Sequence, residues 1–362
     1  MVVDVPSELA LPNEINYTLH YSDASHLPVK AMFAVKVRSG ASTYYAPILP
    51  CATNFASLPG VPASGNLTMP QILAFVSGMT PCNHKVYDFS PGTSPPPPAG
   101  PNYQGIWWKA PAGSESGWGL NIAHQADTIF ASWFTYDMGG RGWWLVMTAP
   151  KSGANTYTGK LFQTRGPPFN AVPWDPNMVA PTQVGTGTLT FSDVDTGTFS
   201  YTIGAITQVK AITREQFGRI PTCTYNSGTL TLATNYTDLW WAKPAMSESG
   251  WGINLNHESD TIFATWFTYD LDHGPLWLVA TVPKQGAGVY SGDLYQTSGA
   301  RFDAFDPASV VATKVGTATF TFADGNNASF EYTVQLPGMG APVTQTKSIT
   351  RELFTAFGTT CR

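Results

Sequence analysis

The chain has 362 residues, a formal net charge of -5 and only 12% charged residues, alongside 34 Gly, 29 Pro, 12 Trp, 15 Tyr and 20 Phe. Its charges are too sparse and too mixed in sign to form a basic stripe, which excludes nucleic acid as a partner, and it contains no run of eighteen apolar residues, which excludes a helical membrane span. The length exceeds one comfortable core, and the balance of Gly, Pro and aromatics over charge suits an all-β extracellular protein.

Residues 1–89 read as a small mixed N-terminal domain. Phe33-Ala34-Val35-Lys36-Val37 has the pattern of a strand, and residues 69–76 that of a short helix with Pro near its start. Met1 to Pro6 lacks the basic start and apolar centre of a signal peptide, so export is argued from the cysteines. Residues 90–101, centred on Pro95-Pro96-Pro97-Pro98, read as an extended linker.

Beyond the linker the sequence says nearly the same thing twice. Residues 105–166 and 238–299 align without gaps at 36 of 62 positions, which marks a duplicated domain and not a solenoid unit. The domains are therefore 102–222 and 223–362. In the first copy the short apolar spacing and turn residues predict strands near 105–110, 117–125, 128–136, 142–149, 156–164, 184–192, 197–203 and 207–214. Eight short antiparallel strands with mostly tight connections predict an up-and-down barrel or a closely related sandwich. The longest connection, 166–182, is Pro-rich and carries Phe169 and Trp174. The strand at 128–136 and its copy at 261–269 are apolar on both faces; one face fills a barrel, and the other calls for a contact surface, expected between the domains.

The chemistry-bearing residues recur with the repeat. Ser-Glu-Ser-Gly-Trp-Gly places Glu115 and Glu248 in a turn, where a carboxylate either acts as an acid or base or simply pins a Gly-containing turn; the turn role is the expected one. His124 and His257 end apolar rows, with Asp127 and Asp260 following, and a hydrogen-bonded structural role at a barrel rim is expected for them over a general base or a metal ligand. Asp324-Gly325-Asn326-Asn327 has calcium-like residues without the closing acid, and reads as a hairpin turn. Arg214-Glu215 and Arg351-Glu352 read as salt-bridged strand ends, and Asn66 and Asn235 lie in glycosylation acceptor patterns. No metal and no cofactor is expected. Among the four cysteines, the pairing Cys51–Cys82 with Cys223–Cys361 is favoured over four free thiols because it staples each region internally. The strongest binding candidates are the aromatics of the first strands: Trp107, Trp108, Trp118 and Tyr136, with Trp240, Trp241, Trp251 and Tyr269. Adjacent Trp side chains point to opposite faces, so one of each pair lies outside its barrel.

Paired Trp, Glu-Ser-Gly-Trp-Gly, His, Asp-Thr-Ile-Phe-Ala and Trp-Phe-Thr-Tyr-Asp together resemble a tandem repeat of uncharacterised secreted proteins of proteobacteria. The resemblance covers about 105–220 and 238–357 and implies an exported bacterial β domain, with fold-level likeness to calycin and avidin barrels. The expectation is a secreted or cell-surface, non-enzymatic protein that uses aromatic barrel surfaces to bind a small molecule, glycan or protein. The alternatives are an extracellular polymer hydrolase using Glu115, His124, Glu248 and His257, or a self-associating subunit of a surface filament.

Overall fold

The computed structural model describes residues 100–226, 230–355 and 358–362, with the backbone of five upstream strands. Those are β1 (Val2–Val3), β2 (Glu14–Thr18), β3 (Phe33–Ser39), β4 (Ser42–Ile48) and β5 (Ser64–Thr68); β1, β3 and β4 share one sheet, and β2 pairs with β5. β3 contains the strand expected at 33–37. The helix expected over 69–76 and the pairing of Cys51 with Cys82 fall outside the described residues. The chain divides into two compact units, Met1–Pro95 and Pro96–Arg362, and the second contains both repeats.

Repeat one supplies β6 (Gly105–Lys109), β7 (Gly119–Gln125), β8 (Thr128–Tyr136), β9 (Gly142–Pro150), β10 (Thr156–Arg165), β11 (Ala180–Phe191), β12 (Thr196–Ile203) and β13 (Ile206–Arg214). They are antiparallel neighbours in chain order, and β13 closes the barrel against β6. After β14 (Cys223–Asn226), repeat two builds the same barrel from β15 (Asp238–Ala242), β16 (Gly252–Glu258), β17 (Thr261–Tyr269), β18 (Pro275–Gly286), β19 (Val289–Ser298), β20 (Val311–Phe322), β21 (Asn327–Val334) and β22 (Val343–Arg351). β23 (Gly358–Cys361) returns to pair with β14, and Cys223 is bonded to Cys361 across that ribbon.

Alternation along each strand decides what is inside. Trp107, Trp118, Trp133, Phe199 and Tyr201 point inward and pack edge-on or tilted against one another and Phe191, so the lumen of the first barrel is solid. Trp240, Trp266, Phe330 and Tyr332 do the same in the second. On the outer face of the later strands the threonines pair across the ladder, Thr158 with Thr188 at 3.1 Å and Thr202 with Thr207 at 2.9 Å. Gly185 and Gly316 sit at matching bulges, where a Cβ would strike the carbonyl oxygens of Thr202 and Thr333. Asp193 and Asp324 each accept hydrogen bonds from the following residues of a hairpin turn, Asp193 from the Asp195 and Thr196 backbone at 2.8 Å and Asp324 from Asn326 and Asn327.

The second apolar face of β8 and β17 is the contact between the barrels. Phe134 packs on Trp277 at 5.1 Å and Trp144 on Phe267 at 5.7 Å. The contact is reciprocal: Trp144 Nε1 donates to the carbonyl of Thr268 and Trp277 Nε1 to that of Thr135, both at 3.0 Å. The long connections also trade places. Phe169 leaves its own barrel to pack on Trp266 and Tyr332 inside the second, while Phe302 packs on Trp133, Trp143 and Tyr201 inside the first. Backbone bonds fix the exchange, from the Phe169 N–H to Tyr269 and from the Phe302 N–H to Tyr136. Residue i meets j and j meets i, which is the grammar of a two-fold dimer written into one chain.

Candidate functional site

Glu115 and His124, considered together as an acid–base pair, do not converge. Glu115 lies before β7 and bonds Lys210 at 2.6 Å and Lys109 at 3.2 Å; His124 lies near the far end of β7, ~17 Å of extended strand away at about 3.4 Å per residue. Glu248 repeats the arrangement, bonding Lys347 at 2.6 Å and accepting from Trp251 Nε1 at 2.9 Å, with the Lys347 ammonium over the Trp251 ring. These are ion pairs that pin the turn to the last strand of each barrel.

The two histidines close the opposite rim. His124 Nδ1 accepts the Tyr103 N–H at 3.1 Å and its ring stacks on Tyr103 and meets Tyr157 and Tyr225 edge-on. His257 Nδ1 accepts the Tyr236 N–H at 3.2 Å, and its Nε2 lies 3.2 Å from the Tyr290 hydroxyl. Burial holds both imidazoles well below their ordinary range, His124 at about 3 and His257 at about 4. Asp127 and Asp260 pair outward with Lys151 and Lys284, at 3.2 Å and 3.0 Å. Among the described residues no group of three or more His, Cys, Asp or Glu could hold a metal ion. The Asn235 amide donates to the carbonyl of His257 at 2.8 Å, so in the folded chain it serves the rim.

Of the aromatics singled out from sequence, Trp107, Trp118 and Trp240 fill barrel interiors, and Tyr136 and Tyr269 are buried where the barrels meet. Trp108 and Trp241 point outward and are partly buried, each with its indole N–H enclosed and without a hydrogen-bond partner among the described residues. Trp241 and Trp251 border a cleft of about 210 Å³ between the barrels. Its walls come from the outer faces of β8 and β9, with Phe130, Ser132 and Trp144, and from Trp241 and Phe267 of the second barrel; Glu352 lies at its edge.

Glu352 and its counterpart Glu215 correct the expectation of salt-bridged ends. Each neighbouring arginine is taken by an aspartate from elsewhere: Arg351 by Asp238 at 3.0 Å, both fully buried, and Arg214 by Asp195 at 3.1 Å. Among the described residues the glutamates have no cation partner, and burial together with a nearby acid, Asp238 for Glu352 and Glu258 for Glu215, pushes each carboxyl up to about 7. The main chain of Glu352 is fixed, its N–H donating to Leu239 and its carbonyl accepting from Gln125 Nε2 at 2.7 Å. Sequence reasoning missed Glu352 because adjacency to Arg suggested pairing, whereas Arg351 ends β22 and turns to Asp238 of β15.

No protein-family model, no curated protein and no solved structure matches this chain.

Proposed function

We propose that this chain is an extracellular, non-enzymatic binding protein whose ligand is a small molecule held in the cleft between the two barrels. The observation that supports it most is the cleft itself, an aromatic-walled concavity between two domains with one carboxylate at its edge, which is the usual composition and position of a small-molecule site. At about 210 Å³ it lies below the roughly 300–1,000 Å³ of drug-sized pockets, so the ligand is small. The disulfide between Cys223 and Cys361 agrees with an oxidising compartment, and no described helix is long and apolar enough to cross a membrane. Neither barrel lumen competes for the role, since one end of each is stoppered by the sister loop and the other by a buried His.

The test is ligand-observed saturation-transfer NMR on the full chain with a panel of choline, 3,3-dimethylbutan-1-ol and methyl glucoside, repeated on Trp241→Ala. At least one probe should bind the wild type and lose its signal in the variant, with the melting temperature lowered by no more than a few degrees. Equal signals in the two proteins, or none in either, would remove the cleft as the site.

A further inference from the structure

Five ring-bearing residues and one carboxylate line the cleft. By strand alternation Phe130, Trp144, Trp241 and Phe267 all present their rings outward from their barrels, into the space between them. Among the described residues the lining contains no Lys, Arg or His. Of its other polar side chains two are engaged within the protein, Thr164 Oγ1 accepting from the Tyr269 hydroxyl at 2.9 Å and the Ser249 hydroxyl donating to the carbonyl of Met246 at 3.1 Å, which leaves the Ser132 hydroxyl. A hydroxyl-rich sugar would therefore find few polar partners. The Glu352 carboxylate has no hydrogen-bond or ion-pair partner among the described residues, and hydrogen bonds at both its N–H and its carbonyl fix its main chain beside the cleft. The charged groups packed around it are Asp238 of β15 and Arg351 of β22, which pair with each other.

A carboxylate left uncompensated beside aromatic faces disfavours an anion, gains little from a neutral apolar ligand, and attracts a cation twice over. The ring faces supply quadrupole attraction and the carboxylate supplies charge, the combination by which proteins hold quaternary and alkylated ammonium groups. We propose that the cleft is selective for a small organic cation of the alkylated or quaternary ammonium class, with its charge directed at Glu352. The proposal rests on the cleft being the binding site, as put forward above.

Calorimetric titration of the full chain at pH 8 tests it with choline and its uncharged isostere 3,3-dimethylbutan-1-ol. Choline should bind at least tenfold more tightly than the isostere. Glu352→Gln should weaken choline at least tenfold and bring the two probes together, while Glu215→Gln, the same position in the other barrel, should change neither. Glu352 must be ionised to attract the cation and its carboxyl is held at about 7, so choline binding should be strong above pH 7 and weaken below it, approaching tenfold per pH unit. If the isostere or methyl glucoside binds as tightly as choline, or if Glu352→Gln leaves choline unchanged, the cation inference is overturned. In that case the cleft still stands as the site provided Trp241→Ala abolishes the binding. Absence of binding by all three probes would overturn both.

Discussion

At the scale of single residues, burial decides what each polar group does, and it does so differently at equivalent positions. Asp238 and Arg351 are sealed together, whereas Asp195, the partner of Arg214, is half in water. The histidines are the clearest case for experiment. His257 has an ordinary value of 6.5 and is held at about 4 by burial, with His124 lower still, at about 3. A folded-state value below that of the unfolded chain means that the neutral ring's contribution is complete above pH 6.5 and is lost as pH falls through the folded value. By pH 4, protonation of His257 in the unfolded chain should oppose folding by up to about 3 kcal/mol. The melting temperature of the wild type should therefore fall more steeply between pH 6.5 and 4 than that of His257→Gln; parallel curves would contradict the assignment. The positions of the histidines and the turn glutamates were legible in the sequence, because the glutamates stand in the turn before β7 and β16 and the histidines near the far ends of those strands. Glu352 was not, because what matters about it is which acid on a distant strand captures its neighbouring arginine.

At the scale of elements, the strand pattern carried the fold. The eight strands expected in repeat one correspond to β6–β13 with ends shifted by a few residues at most, since period-two alternation and Gly or Asp turns fix strands locally. The two-sided apolar strand at 128–136 also announced a contact, and that contact is the barrel interface. The reciprocal loops were not foreseen. A loop has no periodicity, and the only signal was the presence of Phe169 and Trp174 in a Pro-rich connection, aromatics with no reason to be exposed. Their placement gives an unusual expectation: truncating Phe169, which belongs in sequence to the first barrel, should loosen the second. A buried Phe→Ala change costs about 3–5 kcal/mol. Hydrogen exchange of Phe169→Ala should show lost protection in β17 and β21 ahead of β10 and β11, and Phe302→Ala the mirror image in β8 and β12. Loss confined to the variant's own barrel would refute the exchange.

At the scale of the molecule, the two repeats behave as one body, joined by shared aromatics, traded loops and the ribbon of β14 and β23. The disulfide in that ribbon spans 138 residues of sequence and so encloses the whole second barrel. Closing so long a loop restricts the unfolded chain, and Cys223→Ser with Cys361→Ser should lower stability by about 2–4 kcal/mol, read from denaturant midpoints at unchanged slope. No loss on removal of the bond would show that the barrel contact alone holds the ends together. The exchange of loops has a consequence for how many copies such a chain can carry. Each repeat needs a stopper that it cannot provide for itself and offers one that it cannot use, so the needs cancel in couples. A chain with an even number of these repeats leaves every mouth stoppered and every stopper seated; an odd one leaves a vacant mouth and a loose aromatic loop, which a second chain with the same surplus would satisfy.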